Sequence, residues 1–472
     1  MNIMIKKGFK TLLILLIGSF SITACEDYVD IETPNHMMIS ETVFADQETA
    51  LAAINGIYNE LAKADFSRGY LYSVTVLAGL TPDIFETTSA TDARYGPFQQ
   101  NEISPIDSDD AKANYNMWSS IYNIIYMANS VMEGTQNSKS ISQEVKDLVE
   151  GKARFIRAFT YFYLVNLYGE VPLILTTDYR KNAKAERDDV NTVYNRIADD
   201  LDKAIILMEG AMEYNDSERT NVNRFVAIAL RARVYLYQEN WAKAEELASE
   251  VISQTSLYGM LDDLEQVFLK NSREAIWQIS PVGRGLSATY TGEGYMFRGQ
   301  NSSQIKLSED FVGAMSANDK RLHIWIGYNT SRGFYFPQKY KDARSRNDVV
   351  EYSTVLRLSE QYLIRSEAKA MQGKITEAIK DINVVRNRAG LGLLAEMDQE
   401  MGQTELLEEI MEQRKKEFFA EWGHRWLDLK RTERVTEVLG AMKPLWQDTD
   451  VLFPIPGEER EKNPNLTQNN GY

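Results

Sequence analysis

The stretch Arg231–Ile252, RARVYLYQENWAKAEELASEVI, decides the fold when it is set beside Arg365–Arg386, RSEAKAMQGKITEAIKDINVVR. The two align without a gap. Each puts a Gln (Gln238, Gln372) six residues before an Ala (Ala244, Ala378). Each reads as a helix, a short turn with Asn or Gly, and a second amphipathic helix. The small Ala lets the two helices approach closely, as in a tetratricopeptide-type hairpin. ARFIRAFTYFYLVNLYG (153–169) followed by VYNRIADDLDKAIILM (193–208) predicts a third hairpin with a longer connection. Such hairpins bury their apolar faces on one another and stack. Generic helical hairpins would show the same periodicity.

Outward from these repeats the pattern stays helical. QETALAAINGIYNELAKA (47–64) sets Ala50, Ile54, Ile57 and Leu61 on one face. MWSSIYNIIYMANSVM (117–132) does the same with Trp118, Ile121, Tyr122, Ile125 and Ala128. The helix through residues 149–168 is stopped by Gly169 and by Pro172 soon after. Two regions break the rhythm. Residues 65–110 are rich in Gly, Thr, Asp and Pro. Residues 271–350 carry PVGRGLSATYTGEGYMFRGQNSS and RLHIWIGYNTSRGFYFPQKY, dense in Gly and aromatics. Long aromatic-rich loops on a helical scaffold are where binding sits. The expected fold is mostly α: one domain over 46–472, with hairpins at about 153–255 and 357–390 and a loop-rich ligand face at about 65–110 and 271–350.

The 472 residues hold one cysteine, Cys25, in ITACED. Lys6, Lys7 and Lys10 precede an apolar run, Leu12 to Ile22, that is too short for a bilayer span. A basic start, a short apolar region and small residues before Cys match a lipoprotein signal peptide over 1–24. In that reading the Cys25 thiol is lipidated and anchors the chain, and 25–45 is an acidic tether. A secreted protein with an incidental Cys25 is the alternative. Cleavage there removes three lysines and no acid, moving the formal charge from −16 to −19. So acidic a chain is a poor partner for nucleic acid or anionic lipid.

Catalytic signatures are missing. The three histidines, His36, His323 and His424, have no metal-site spacing, and neither a phosphate-binding Gly loop nor a Gly-x-Ser-x-Gly elbow occurs. The expectation is a non-enzyme with no cofactor. Acidic loops could hold a structural calcium, but no Asp-x-Asp-x-Asp-Gly loop supports one. His424 reads as a structural residue rather than a base. The loop aromatics Tyr95, Tyr290, Tyr295, Trp325 and Tyr328 cannot all be buried by helix packing. A flat ring suits the C–H face of a sugar, with Asp, Asn or Arg at its rim.

Four segments carry a family resemblance: 153–174, 360–391, 412–432 (EQRKKEFFAEWGHRWLDLKRT) and the tail 452–472 (LFPIPGEEREKNPNLTQNNGY). With the lipid signal, they resemble the SusD/RagB outer-membrane lipoproteins of Bacteroidetes across nearly the whole chain. The resemblance implies a tetratricopeptide-like helical scaffold with an irregular ligand face. It also implies a SusC-like TonB-dependent transporter as partner, and an oligosaccharide captured at the cell surface and handed to it. The matching residues, among them Arg154, Arg157, Gly169, Gly423, Arg425 and Asp428, are mostly scaffold. LAGLTPDIFETT makes Asp83 the best match to a residue near the family's binding face. The candidate ligand contacts are therefore Asp83, Arg94, Tyr95, Tyr290, Tyr295, Arg298, Trp325 and Tyr328. A peptide-binding lid of the same family, or a tetratricopeptide adaptor, remains the alternative.

Overall fold

Asp46 starts the first helix: its carboxylate accepts the Thr49 amide at 2.8 Å, satisfying an amide the helix cannot. That helix, α1 (Gln47–Leu61), buries Ala50, Ile54, Ile57 and Leu61, the expected face. The computed structural model describes residues 44–106, 112–214, 217–285, 289–343, 348–395 and 401–472. The expected signal peptide, Cys25 and the tether as far as residue 43 lie outside them. Phe44–Tyr472 form one compact unit.

The long helices after α1 are α2 (Ala113–Asn137), α3 (Gln143–Tyr168), α4 (Val190–Leu207), α5 (Arg224–Tyr237) and α6 (Trp241–Ile252). They continue as α7 (Leu358–Met371), α8 (Ile375–Arg388), α9 (Gln403–Phe418) and the shorter α10 (His424–Arg431). Each packs on the next, from α2 on α3 to α8 on α9, and α6 meets α7 although about 100 residues separate them. The two aligned repeats are the hairpins α5–α6 and α7–α8. Gln238 and Gln372 close the first helix of each. The next residue takes the left-handed conformation in both, Glu239 at φ +56° and Gly373 at φ +75°. Ala244 and Ala378 are fully buried, as the close approach requires. Gly169, at φ +73°, ends α3.

Among the described residues, three two-stranded antiparallel ribbons order the irregular regions. β1 (Phe85–Thr87) pairs with β3 (Ile305–Leu307), Phe85 facing Leu307. This ribbon ties the two loop regions together. β2 (Ala275–Ile279) pairs with β6 (Ser353–Arg357), both wholly buried, and β6 runs straight into α7. β4 (Ile326–Asn329) and β5 (Phe334–Pro337) make a hairpin. Where α3 meets β2, Phe155, Phe159, Trp277 and Trp422 pack edge to face at 5.0–5.4 Å, a favoured aromatic geometry.

The segment 412–432 is built around buried charge. Glu417 receives Arg357 at 2.5 Å and Arg321 at 3.1 Å, and also pairs with Arg388. Glu274 receives Arg357 and Arg388, and Glu421 receives Arg357 and Lys339. Burial by itself would raise the Glu417 carboxyl; Arg388, Arg357 and Arg321 overcome it and hold it well below the carboxylate range. His424 stacks on Phe418 at 4.6 Å. Burial, then the nearby Arg233, Arg414 and Arg357, push its imidazole well below its ordinary value, which keeps it neutral and structural.

Candidate functional site: a cluster of tyrosines and arginines

Three loop segments meet to form the cluster. The first follows α1: Ser67 donates to the Leu61 carbonyl at 2.6 Å, and Gly69 at φ +69° turns the chain between Arg68 and the pair Tyr70 and Tyr72. In the second, the Asp92 carboxylate accepts the amides of Arg94 (3.0 Å) and Tyr95 (2.8 Å), an Asx turn. In the third, Thr291 caps the short helix Gly292–Met296 through the Gly294 amide at 3.0 Å. A Cβ at Gly292 would overlap the Arg68 carbonyl oxygen. Only glycine lets the first and third segments touch there.

The rings converge. Tyr290 and Tyr295 stack with centroids 5.6 Å apart and planes 21° from parallel. Tyr70 meets Tyr295 edge-on at 5.1 Å. The Arg298 guanidinium lies 3.8 Å from the Tyr295 ring centre and donates to the Tyr295 carbonyl at 3.0 Å. Arg94 lies over both Tyr72 (5.9 Å) and Tyr95 (5.8 Å), Arg68 over Tyr70 (5.6 Å), and Arg284 over Tyr290 (5.3 Å). Each is within cation–π range. Burial, then the neighbouring Tyr295, hold the Tyr70 hydroxyl above its ordinary value, so the phenol stays neutral and can both donate and accept. Tyr70, Tyr72, Tyr290 and Tyr295 are all partly exposed, so a ligand can reach them.

Of the candidates drawn from sequence, Arg94, Tyr95, Tyr290, Tyr295 and Arg298 come together here, but Tyr95 is a base rather than a surface. Its side chain is fully buried and supports Arg94 from beneath. Trp325 requires a larger correction. It is 1% exposed, its indole donates to the Leu264 carbonyl at 3.1 Å, and Phe268 and Phe419 pack against it. The Lys339 ammonium sits 4.7 Å from its ring. Trp325 belongs to the core beside the buried charges and offers no face to a ligand.

Asp83 is likewise spoken for. Its oxygens take Arg425 at 2.8 and 2.9 Å and Lys415 at 2.8 Å, so it joins the 412–432 segment to the first loop region. It borders a separate cleft of about 400 Å³ with Phe85, Gln99, Lys443 and Leu445. Tyr328 is 51% exposed, on the β4–β5 hairpin against Tyr335 at 4.8 Å. Asn329 bonds that hairpin to the Gly299 carbonyl at 2.8 Å, next to Arg298. Among the described residues, no three His, Cys, Asp or Glu side chains converge as a metal centre would need.

Tyr70, Tyr72, Arg68 and Arg284 were not singled out by sequence. FSRGYLY (66–72) shares with GEGYMFRG a Gly beside Tyr and Arg in a region predicted as loop. That signal was available.

Comparison with known proteins completes the picture. A family model described as "Starch-binding associating with outer membrane" matches residues 27–236, and the SusD family model matches 286–472. SusD-like protein P25 of Formosa agariphila is 25% identical, covering 96% of this chain and 97% of its own. A SusD superfamily protein from Bacteroides vulgatus superposes with a TM-score of 0.78 at 19% identity, over 91% of this chain and 100% of its own. A laminarin-binding SusD-like protein gives a TM-score of 0.76 at 21% identity, over 91% and 100%. The chain belongs to the SusD/RagB family.

Proposed function

We propose that this protein is a lipid-anchored glycan-binding subunit at the cell surface that captures an oligosaccharide and passes it to a SusC-like TonB-dependent transporter in the outer membrane. One matching family model is described as starch-binding and associating with the outer membrane, and a relative from Bacteroides thetaiotaomicron is named a starch-binding protein, which supports binding rather than catalysis. The observation that carries the reading is the stacked pair Tyr290–Tyr295 with Tyr70 set edge-on to it. Rings held by their neighbours offer flat apolar area at little cost in side-chain entropy on binding. Phenol hydroxyls and guanidinium groups at their edges supply the few polar contacts that orient a ligand. A solved structure named as laminarin-binding shares the fold, which supports a sugar ligand. The lipobox-like ITACED supports the anchor.

The test is gel retardation of residues 26–472, which retain the whole compact unit Phe44–Tyr472, against plant, host and microbial polysaccharides with a peptide mixture alongside. Retardation by one glycan class is expected. The double variant Tyr290→Ala, Tyr295→Ala should weaken it at least about tenfold, the loss of about 1.4 kcal/mol. Retention by peptides alone would replace the glycan reading with the peptide-lid one. Unchanged glycan affinity in the double variant would remove the site.

A further inference from the structure

The cluster gathers four guanidinium groups in a chain whose formal charge is −16. Many arginines elsewhere are paired with carboxylates, while Arg219, Arg273 and Arg332 donate to backbone carbonyls instead. Arg154 and Arg157 share Asp200, Arg233 has Glu360, and Arg357 has three glutamates. In the cluster only Arg68 is so treated, by Asp65. Among the described residues, no carboxylate lies within ion-pair distance of Arg94, Arg284 or Arg298. The acids nearby lie beyond that distance: Asp92 is held by other donors, and Glu293, one of whose oxygens has no hydrogen-bond partner, attracts Arg284 from further off. Asp92 accepts the two backbone amides and the Gln304 side chain. Glu293 is 3% exposed and accepts the Ser353 hydroxyl at 2.6 Å.

The way these cations are held matters as much as their number. Arg298 and Arg94 lie over tyrosine rings. A guanidinium that stacks by its face keeps its N–H edge for planar oxyanions, which it can bind in bidentate fashion. Arg298 is fixed in advance by its ring contact and its bond to the Tyr295 carbonyl, so less entropy is lost when an anion arrives. Both arginines are only partly buried; Arg298 covers a face of Tyr295, and both stand beside the partly exposed rings against which a sugar would pack.

We propose that the glycan bound here is anionic, a chain bearing uronate carboxylates or sulfate esters, whose acid groups are read by Arg94 and Arg298 while its sugar rings pack against the exposed parts of Tyr290 and Tyr295. This rests on the glycan-binding reading above and names its substrate class. An acidic protein repels polyanions at long range, so only a local, preformed cluster of this kind gives it such a ligand. Carboxylate and sulfate present the same oxyanion chemistry to a guanidinium, and the probes separate them.

The experiment is calorimetric titration of residues 26–472 with four oligosaccharides: alginate (uronate), carrageenan (sulfate), laminarin and amylose (both neutral). One anionic probe is expected to bind at least about tenfold more tightly than either neutral one. Arg94→Gln and Arg298→Gln should each weaken it by about tenfold or more with the melting temperature unchanged. Should either variant fold poorly, the wild-type protein still decides. Raising salt from about 50 mM to about 500 mM must weaken the anionic probe and leave a neutral one nearly unaffected. Neutral glucan bound at least as tightly as both anionic probes overturns the anionic class and leaves glycan binding intact. Absence of heat with every probe, while another neutral polysaccharide retards the protein in the gel test, overturns the anionic class alone; no retardation by any polysaccharide as well overturns both.

Discussion

An aromatic residue in a glycine-rich loop has two fates, and Trp325 and Tyr295 took different ones. Both fall in regions predicted as loop with Gly and Arg nearby. Trp325 is drawn into the core because Phe268 and Phe419 cover it and the Leu264 carbonyl satisfies its indole. Tyr295 remains at the surface because its neighbours are Tyr290, Tyr70 and Arg298, each partly exposed. The same holds for charge. Glu417 looked like any acid on a helix, yet it is fully buried among three arginines. Glu417→Gln should cost about 3–5 kcal/mol at neutral pH, because it leaves buried guanidinium groups uncompensated; denaturant midpoints measure it. The pH dependence has a definite sign. The folded state holds this carboxyl below its ordinary 4.5, so its stabilisation is complete above about pH 4.5 and is lost as pH falls through the depressed value. The wild type should lose stability on acidification below that point, and the Gln variant should lose less. An equal slope in both would refute the role given to Glu417.

At the scale of elements, the two aligned hairpins behave as one design used twice. Arg231 and Arg365 each pair with an aspartate, Asp202 at 2.7 Å and Asp381 at 2.6 Å. Each turn needs one left-handed residue, supplied by Gly373 in one copy and by Glu239 in the other. A side chain in that conformation costs about 1–2 kcal/mol, partly offset by the entropy a glycine adds to the unfolded chain. Glu239→Gly should therefore stabilise the protein by about 0.5–1 kcal/mol, read as a higher denaturant midpoint at unchanged slope. Gly373→Ala should do the reverse. Helix faces were legible from spacing because a 3.6-residue period and burial coincide, as Ile54, Ile57 and Leu61 show. The ribbon β1–β3 was not legible. Three residues are too few to show an alternating pattern, and its partners are about 220 residues apart.

For the whole molecule, the working arrangement proposed is a helical scaffold on a lipid tether with its ligand face built from distant loops. Cys25→Ala should move the protein out of the membrane fraction when cells are fractionated, while the purified chain keeps its glycan affinity. A variant that stays membrane-bound would remove the anchor from Cys25. The sequence by itself determined the helical class, the repeated hairpins and the two loop regions, since each rests on local periodicity or on turn residues. It also pointed to five of the residues that meet in the cluster, through the company of Tyr, Arg and Gly. Only the tertiary structure decided which rings face solvent, that Asp83 is bound to Arg425 and Lys415, and that Tyr70 and Tyr72 join Tyr290 and Tyr295. The last two outcomes depend on contacts between segments more than 200 residues apart, and Trp325 is covered by Phe268 and Phe419 from other segments; side-chain burial is set by what arrives from elsewhere in the chain, not by the residues alongside.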